Sequence, residues 1–387
     1  MTIPWRYRLA SAGWAWRRRK PVVTTYINRI LVVRLCCIGD ILFTTPLLRA
    51  LDANYPRARI GYLVSPWCRD LVAANPRVDE VIEYDGYGTD RRLRSALTAV
   101  RRLRAGRYDL ALILHRTPLA HLLAWAGGVP WRVGFDWQGR GFSLTHPVPY
   151  RARAHEVDRV LDCLQPLGAA ADGTDLELPG REEHAAGAEA LLHAHGWRDD
   201  QRPLVALFPG GGENPGTVMP TKRWDPAGFR EIIRRLETEY RRGAVVFIGG
   251  RGDREVGDAV LSDWRPRLPV IRLEGQTDLL TTGAVLKHCD LFVGGDSGPL
   301  HMAAAAGVPT IALFGPTDPD RLAPRGRAHA AVRADLPCSP CFVPERSRFG
   351  DSVACRLERR ECLGPELVDG VWDLMVERFG KRGIRRS

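Results

Sequence analysis

Lysine is nearly absent from this 387-residue chain: of its 56 basic residues, only Lys20, Lys222, Lys287 and Lys381 are lysines. No run of 18 apolar residues occurs, so no transmembrane helix is expected. The opening Met1-Thr-Ile-Pro-Trp-Arg-Tyr-Arg8 lacks the continuous apolar stretch of a signal peptide, and a cytoplasmic location is the expectation. The nine cysteines are odd in number and spread along a long chain, which argues against a secreted disulfide framework. The length excludes a stapled miniprotein or a lone small module. At 45% hydrophobic and 26% charged residues, the composition argues against disorder over most of the chain.

What is present is a length suited to two or three domains and a formal net charge of +11. An excess of this size suits an anionic partner: nucleic acid, an anionic membrane or a phosphorylated substrate. Residues 1–28 form a basic arm with Trp5, Trp14, Trp16 and Arg17-Arg-Arg-Lys20. That mixture suits a bilayer interface, and equally a basic segment packed on the body.

From Arg29 strands and helices alternate. Ile30–Leu35, Arg59–Val64, Val81–Tyr84 and Leu110–Leu114 read as strands; helices are expected over Ile41–Asn54 and about 90–105. Pro46 should kink the first helix or mark its effective start. A polar, Ala- and Gly-rich stretch suggests a linker near 172–183. A second series follows, with strands Leu204–Phe208, Ala244–Ile248, Val270–Leu273, Leu291–Val293 and Thr310–Phe314. Alternation of this kind gives parallel sheets with helices on both faces. The expected parts are the arm 1–28, a domain over 29–175, a second over 184–355, and a helix and tail over 356–387.

In open α/β sheets, ligands bind beyond the carboxyl ends of the strands, so the loops after strands carry the information. After the first strand, Gly39-Asp40 puts a carboxylate at a helix start, as a helix cap or as a reactive group. Phe208-Pro-Gly-Gly-Gly212, then Pro220-Thr-Lys-Arg-Trp224, joins a glycine loop of the phosphate-cradling kind to one of the rare lysines. Gly294-Gly-Asp-Ser-Gly-Pro-Leu-His301 follows a strand and opens a helix whose first amides suit an anion. Phe314-Gly-Pro-Thr-Asp-Pro319 reads by itself as an ordinary turn. His115 and Arg116, after the Leu110–Leu114 strand, suit an anionic acceptor or are simply a polar strand end.

Taken together, Ile30–Asp40 with Thr44-Thr-Pro46, Pro209-Gly210, Thr221-Lys-Arg-Trp224, Asp296–His301 and Leu313–Thr317 resemble, in order, the motifs of glycosyltransferase family 9, the heptosyltransferases. Gly134-Phe-Asp136 and His155-Glu-Val157 are similar to its middle region. The resemblance covers about residues 28–345. It implies an α/β GT-B fold, two Rossmann-like doubly wound domains facing a central cleft. It implies inverting transfer of a sugar, typically from ADP-heptose, to the lipopolysaccharide inner core without metal or cofactor. Carried over, Asp40 is the general base. Lys222 and the Ser297-Gly298 turn bind the diphosphate, Asp296 and His301 shape that pocket, and Gly210 and Thr221 line it. His115 and Arg116 are candidate acceptor contacts. The partners implied are a nucleotide-sugar donor, an anionic glycolipid acceptor and an anionic membrane surface, with the protein peripheral on the inner face of the inner membrane.

The chain departs from the family pattern in two places. The linker between Pro209 and Lys222 is longer than usual, which leaves transfer of another sugar to a different surface glycan as an alternative. Cys338-x2-Cys341 with Cys355 and Cys362 resembles a loose zinc set; its irregular spacing favours unliganded thiols near the domain junction. A different class, a non-enzymatic nucleic-acid binder, is motivated by the charge. Against it, the arginines are scattered, pairs such as Arg101-Arg102 and Arg234-Arg235 have acids nearby, and no RNA or DNA motif is present; no nucleic-acid partner is expected.

Overall fold

The computed structural model describes residues 27–86, 92–214, 217–241, 243–343, 355, 357 and 361–379. The basic arm lies outside these residues except for Ile27 and Asn28. The chain divides between Pro179 and Gly180 into two compact units.

The first unit contains strands β1 (Arg29–Val33), β2 (Arg59–Val64), β3 (Glu80–Glu83), β4 (Leu110–Ile113), β5 (Trp131–Asp136) and β6 (His146–Pro149). They form one sheet in the order β3-β2-β1-β4-β5-β6, with every pair parallel. β1 and β4 are buried at nearly every position, as expected of central strands covered on both faces. The last two strands were not foreseen. β5 carries Arg132, an unusual interior residue, whose guanidinium is satisfied by the Ser143, Val129 and Pro130 carbonyls. β6 contains Pro147 and Pro149 and is tolerated because it lies at the edge. The helix expected over Ile41–Asn54 is two helices, Ile38–Leu42 and Thr45–Asn54. Pro46 lies in the first turn of the second, where its missing N–H costs nothing.

The second unit contains β7 (Leu204–Phe208), the short antiparallel pair β8 (Glu213–Asn214) and β9 (Thr217–Val218), then β10 (Ala244–Phe247), β11 (Val270–Arg272), β12 (Leu291–Gly295), β13 (Thr310–Phe314) and β14 (His329–Arg333). Its main sheet runs β11-β10-β7-β12-β13-β14, again all parallel. Counted from its own first strand, this is the order of the first unit, 3-2-1-4-5-6, the Rossmann arrangement. The helix Val368–Phe379 belongs to this unit. Its Val371, Trp372 and Met375 are buried in one cluster with Phe229, Ile232 and Tyr240.

Each sheet has one switch point, where the strand order reverses: between β1 and β4 in the first unit, and between β7 and β12 in the second. That crevice is where such sheets bind ligands.

Candidate active site

Apart from Phe314–Pro319, which follows β13, the loops singled out in the sequence flank these two switch points. In the first unit the chain leaving β1 carries Arg34 and Asp40, and the chain leaving β4 carries His115 and Arg116. Asp40 does not cap its helix. The cap position is Cys37, and Asp40 is the third residue of Ile38–Leu42. Its carboxylate points instead to Arg34, Nη2 to Oδ1 2.7 Å. Arg34 is buried and also donates from Nη1 to the Leu114 carbonyl beyond β4, so it ties the two loops together. Burial pushes the Asp40 carboxyl upward, but Arg34 overcomes this, helped by Arg116, and holds it below the usual carboxylate range. Arg34 thereby joins Asp40 to the carbonyl of Leu114, the residue directly before His115 and Arg116. Burial lowers His115 to about 3, so its imidazole is neutral. The Arg116 guanidinium lies over the Tyr150 ring at 5.1 Å from its centre, and fully buried Arg159 lies over the same ring at 4.7 Å. Arg159 in turn pairs with Glu156 at 2.5 Å. His155 caps the helix Glu156–Asp162, accepting from the Val157 amide at 3.2 Å.

Sequence reasoning missed Arg34, Tyr150 and Arg159. An arginine ending an apolar strand was the available signal for Arg34. One ligand atom each of Cys36, Cys37 and Asp40 lies within 4.8 Å of the others, but the Asp40 carboxylate is already engaged by Arg34.

In the second unit, β7 leads into the glycine loop and β12 into Asp296 and the helix Gly298–Ala305. Lys222 Nζ is 2.6 Å from Asp296 Oδ2, and His301 Nε2 is 3.5 Å from Asp296 Oδ1. Asp296 and His301 are buried, and Lys222 is partly exposed. Burial would raise the Asp296 carboxyl; Lys222 and then His301 reverse this and hold it well below the carboxylate range. Ser297 occupies the cap position of Gly298–Ala305, yet its hydroxyl donates to the Gly295 carbonyl at 2.9 Å and caps no amide. The first turn of this helix therefore carries no side-chain cap, the condition for holding an anion there.

Lys222 reaches Asp296 because of its neighbours. Trp224 is fully buried and donates from Nε1 to the Gly364 carbonyl at 2.8 Å. A Cβ on Gly295 would come within 2.7 Å of the Lys222 carbonyl oxygen, so only glycine admits this approach. Thr221 lies half-buried in the same turn. The glycine loop has an internal explanation beside any ligand. The space of a Gly210 side chain is filled by the Asp253 carboxylate, 2.0 Å from a Cβ built there. Asp253 accepts from the amides of Gly211 and Gly250, each at 2.8 Å, and Arg223 donates to the Gly211 carbonyl at 2.8 Å. Asp253 was not legible in the sequence, since it lies 42 residues beyond the loop it braces. The longer linker forms the β8–β9 pair, with Glu213 bonded to Arg223 at 2.7 Å.

Arginine is used widely in ion pairs: Arg234 and Arg235 both pair with Glu231, and Arg102 with Glu80. Among the described residues no helix is long and apolar enough to cross a membrane.

Two α/β units in Rossmann order, joined in one chain, give the GT-B class of fold. The chain belongs to glycosyltransferase family 9 (heptosyltransferase), whose model matches residues 96–349. It is 28% identical over 323 residues to lipopolysaccharide heptosyltransferase 2 of Salmonella typhimurium, spanning 79% of this chain and 88% of that protein. It is 29% identical over 292 residues to lipopolysaccharide heptosyltransferase 3 of Escherichia coli K12, spanning 72% and 80%. Its structure is similar to that of a family 9 glycosyltransferase from Veillonella parvula, with a TM-score of 0.71 and 27% identity, covering 79% of this chain and 86% of that one.

Proposed function

We propose that this glycosyltransferase moves a heptose from ADP-heptose onto a lipopolysaccharide core acceptor, with inversion at the anomeric carbon. The observation that carries the reading is the chemistry at the two switch points: an ionised carboxylate in one unit, and in the other a lysine beside a helix start without a side-chain cap. Asp40 takes the proton of the acceptor hydroxyl as that oxygen bonds to the anomeric carbon; the bond to the diphosphate breaks, and ADP leaves with the electron pair. A carboxylate held low by Arg34 is a weak base. Proton transfer therefore comes late, when the attacking oxygen has become acidic by forming its new bond. Lys222 and the first amides of Gly298–Ala305 stabilise the charge growing on the leaving diphosphate without a metal. Asp296 and His301 orient the lysine. His115, neutral, and Arg116 contact the acceptor, whose anionic groups suit the guanidinium.

A second reading, transfer of another sugar within the family, is favoured by the β8–β9 pair inserted beside the glycine loop. One experiment separates the two: thermal stabilisation of the full chain by a panel of nucleotide sugars, followed by transfer to core-truncated lipopolysaccharide. ADP-heptose should give the largest shift and support transfer. A larger shift and turnover with another nucleotide sugar would establish the second reading. The proposal also places the protein in the cytoplasm, peripheral on the inner face of the inner membrane through its basic arm, with no nucleic-acid partner.

A further inference from the structure

Six large hydrophobic side chains are exposed among the described residues, and four of them lie on two consecutive helices of the first unit, Arg92–Gly106 and Pro118–Ala126. They are Leu93 at 81%, Leu97 at 57%, Leu119 at 43% and Trp125 at 41%. Single exposed leucines are ordinary on a protein surface, whereas a group of them on one layer marks a surface that meets something.

Both helices cover the same face of the first sheet. Ala99 and Leu103 of one, and Ala120 and Leu123 of the other, are buried in one cluster with Val33 and Ile113 of the central strands. The helices are tied side by side, since Arg104 donates from Nε to the Ala126 carbonyl at 2.9 Å. With Ala99 and Leu103 turned inward, the helical repeat puts Leu93, Arg94, Leu97 and Arg101 outward, and all four are exposed. This helix has five arginines and no acidic residue. Arg102 pairs with Glu80, but Arg94 and Arg101 have no ion-pair partner among the described residues. The second helix carries no Asp, Glu, Lys or Arg at all. The N-terminal ends of both helices sit at the carboxyl edge of the sheet. The Asp85 amide, just beyond β3, donates to Ser95 Oγ at 2.8 Å, and Pro118 follows Arg116 by two residues. The same edge carries Asp40.

We infer that the outward face of these two helices docks on an anionic lipid bilayer, as a folded contact additional to the basic arm. Leu93, Leu97, Leu119 and Trp125 enter the interface, and Arg94 and Arg101 meet the lipid phosphates beside them. The mixture of side chains selects this occupant. A nucleic acid would satisfy the arginines and give the leucines nothing. A second copy seated on the same face by two-fold symmetry would set the arginines of one helix against those of the other. Because Leu93 and Leu119 fall in the first turns of their helices, docking there holds the carboxyl edge, with Asp40, beside the membrane. That position suits a glycolipid acceptor, and in this respect the inference rests on the function proposed above; the docking itself requires neither the arm nor a particular sugar.

The test uses the full chain and vesicles of phosphatidylcholine, with or without phosphatidylglycerol, that contain a photoactivatable lipid. After illumination with the anionic vesicles, peptides from 92–106 and 118–126 should carry lipid adducts, distinct from any adducts in 1–28. In flotation, Leu93→Ser/Leu97→Ser should lower affinity for anionic vesicles about tenfold. Arg94→Ser/Arg101→Ser should lower it by roughly as much at low salt and by less at high salt. All four positions are exposed, so the melting temperature and transfer to a soluble acceptor should stay at their wild-type values. Should either variant fold poorly, the adducts on the wild-type chain still decide the matter. Vesicle docking through these helices by a chain that transfers no heptose would support the inference and count against the sugar reading alone. Adducts confined to residues 1–28, unchanged vesicle affinity in Leu93→Ser/Leu97→Ser, equal binding to neutral and anionic vesicles, or a dimer in solution that the leucine variant abolishes would each overturn it.

Discussion

Arg34 Nη2 lies 2.7 Å from Asp40 Oδ1, and the same guanidinium donates to the Leu114 carbonyl. One buried arginine therefore both sets the basicity of the proposed base and fixes the two loops that flank the first unit's switch point. The consequence for mutagenesis differs from that of a capping aspartate, which asparagine would replace at almost no cost.

Asp40→Asn should lower turnover by roughly 10²–10⁴, the range for losing a general base, with donor affinity nearly unchanged. Because Arg34 then faces a neutral amide, stability should also fall by about 1–3 kcal/mol. Steady-state kinetics and urea denaturation measure the two effects. Near-wild-type turnover in the folded variant would remove Asp40 from the chemistry.

The pH dependence follows from the same pair. The folded Asp40 carboxyl lies below the unfolded value of about 3.9. Its contribution to stability is thus complete above that value and is lost as pH falls through the lower folded value. Activity should show no acid limb from Asp40 above about pH 4. Arg34→Gln should move that limb of kcat/KM upward by roughly one pH unit or more. An unmoved limb in a folded Arg34→Gln protein would show that another group controls it.

Lys222→Ala should weaken donor binding and slow transfer by about 1–3 kcal/mol, but it also leaves buried Asp296 with His301 alone. The double variant Lys222→Met/Asp296→Asn separates the effects, since no charge is then stranded. It should recover most of the lost stability and none of the lost donor affinity. Recovery of both, measured by calorimetry and donor titration, would reduce Lys222 to a structural partner of Asp296.

Transfer should continue in EDTA. Restoration of turnover by magnesium or manganese alone is the outcome that breaks the metal-free mechanism proposed above.

Deleting residues 1–28 should weaken binding to anionic vesicles and reduce its salt dependence, while activity on soluble acceptor persists. Equal vesicle binding by the full and truncated chains, in a flotation assay, would exclude the arm as the anchor.

The apolar runs and the glycine, proline and aspartate clusters between them determined most of the strands and the loops that follow them. Those signals are local, because a strand's burial and a helix's first turn depend on a few adjacent residues. The edge strands β6 and β14 and the Arg-bearing β5 escaped, since neighbours distant in sequence satisfy them. Tertiary structure alone decided the pairings that govern chemistry. Arg34 rather than the helix start holds Asp40; Gly295 makes room for Lys222 to reach Asp296, 74 residues away; and Asp253 fills the space at Gly210. Each is a contact between segments far apart in sequence, and its strength depends on burial and distance, which residue order does not encode.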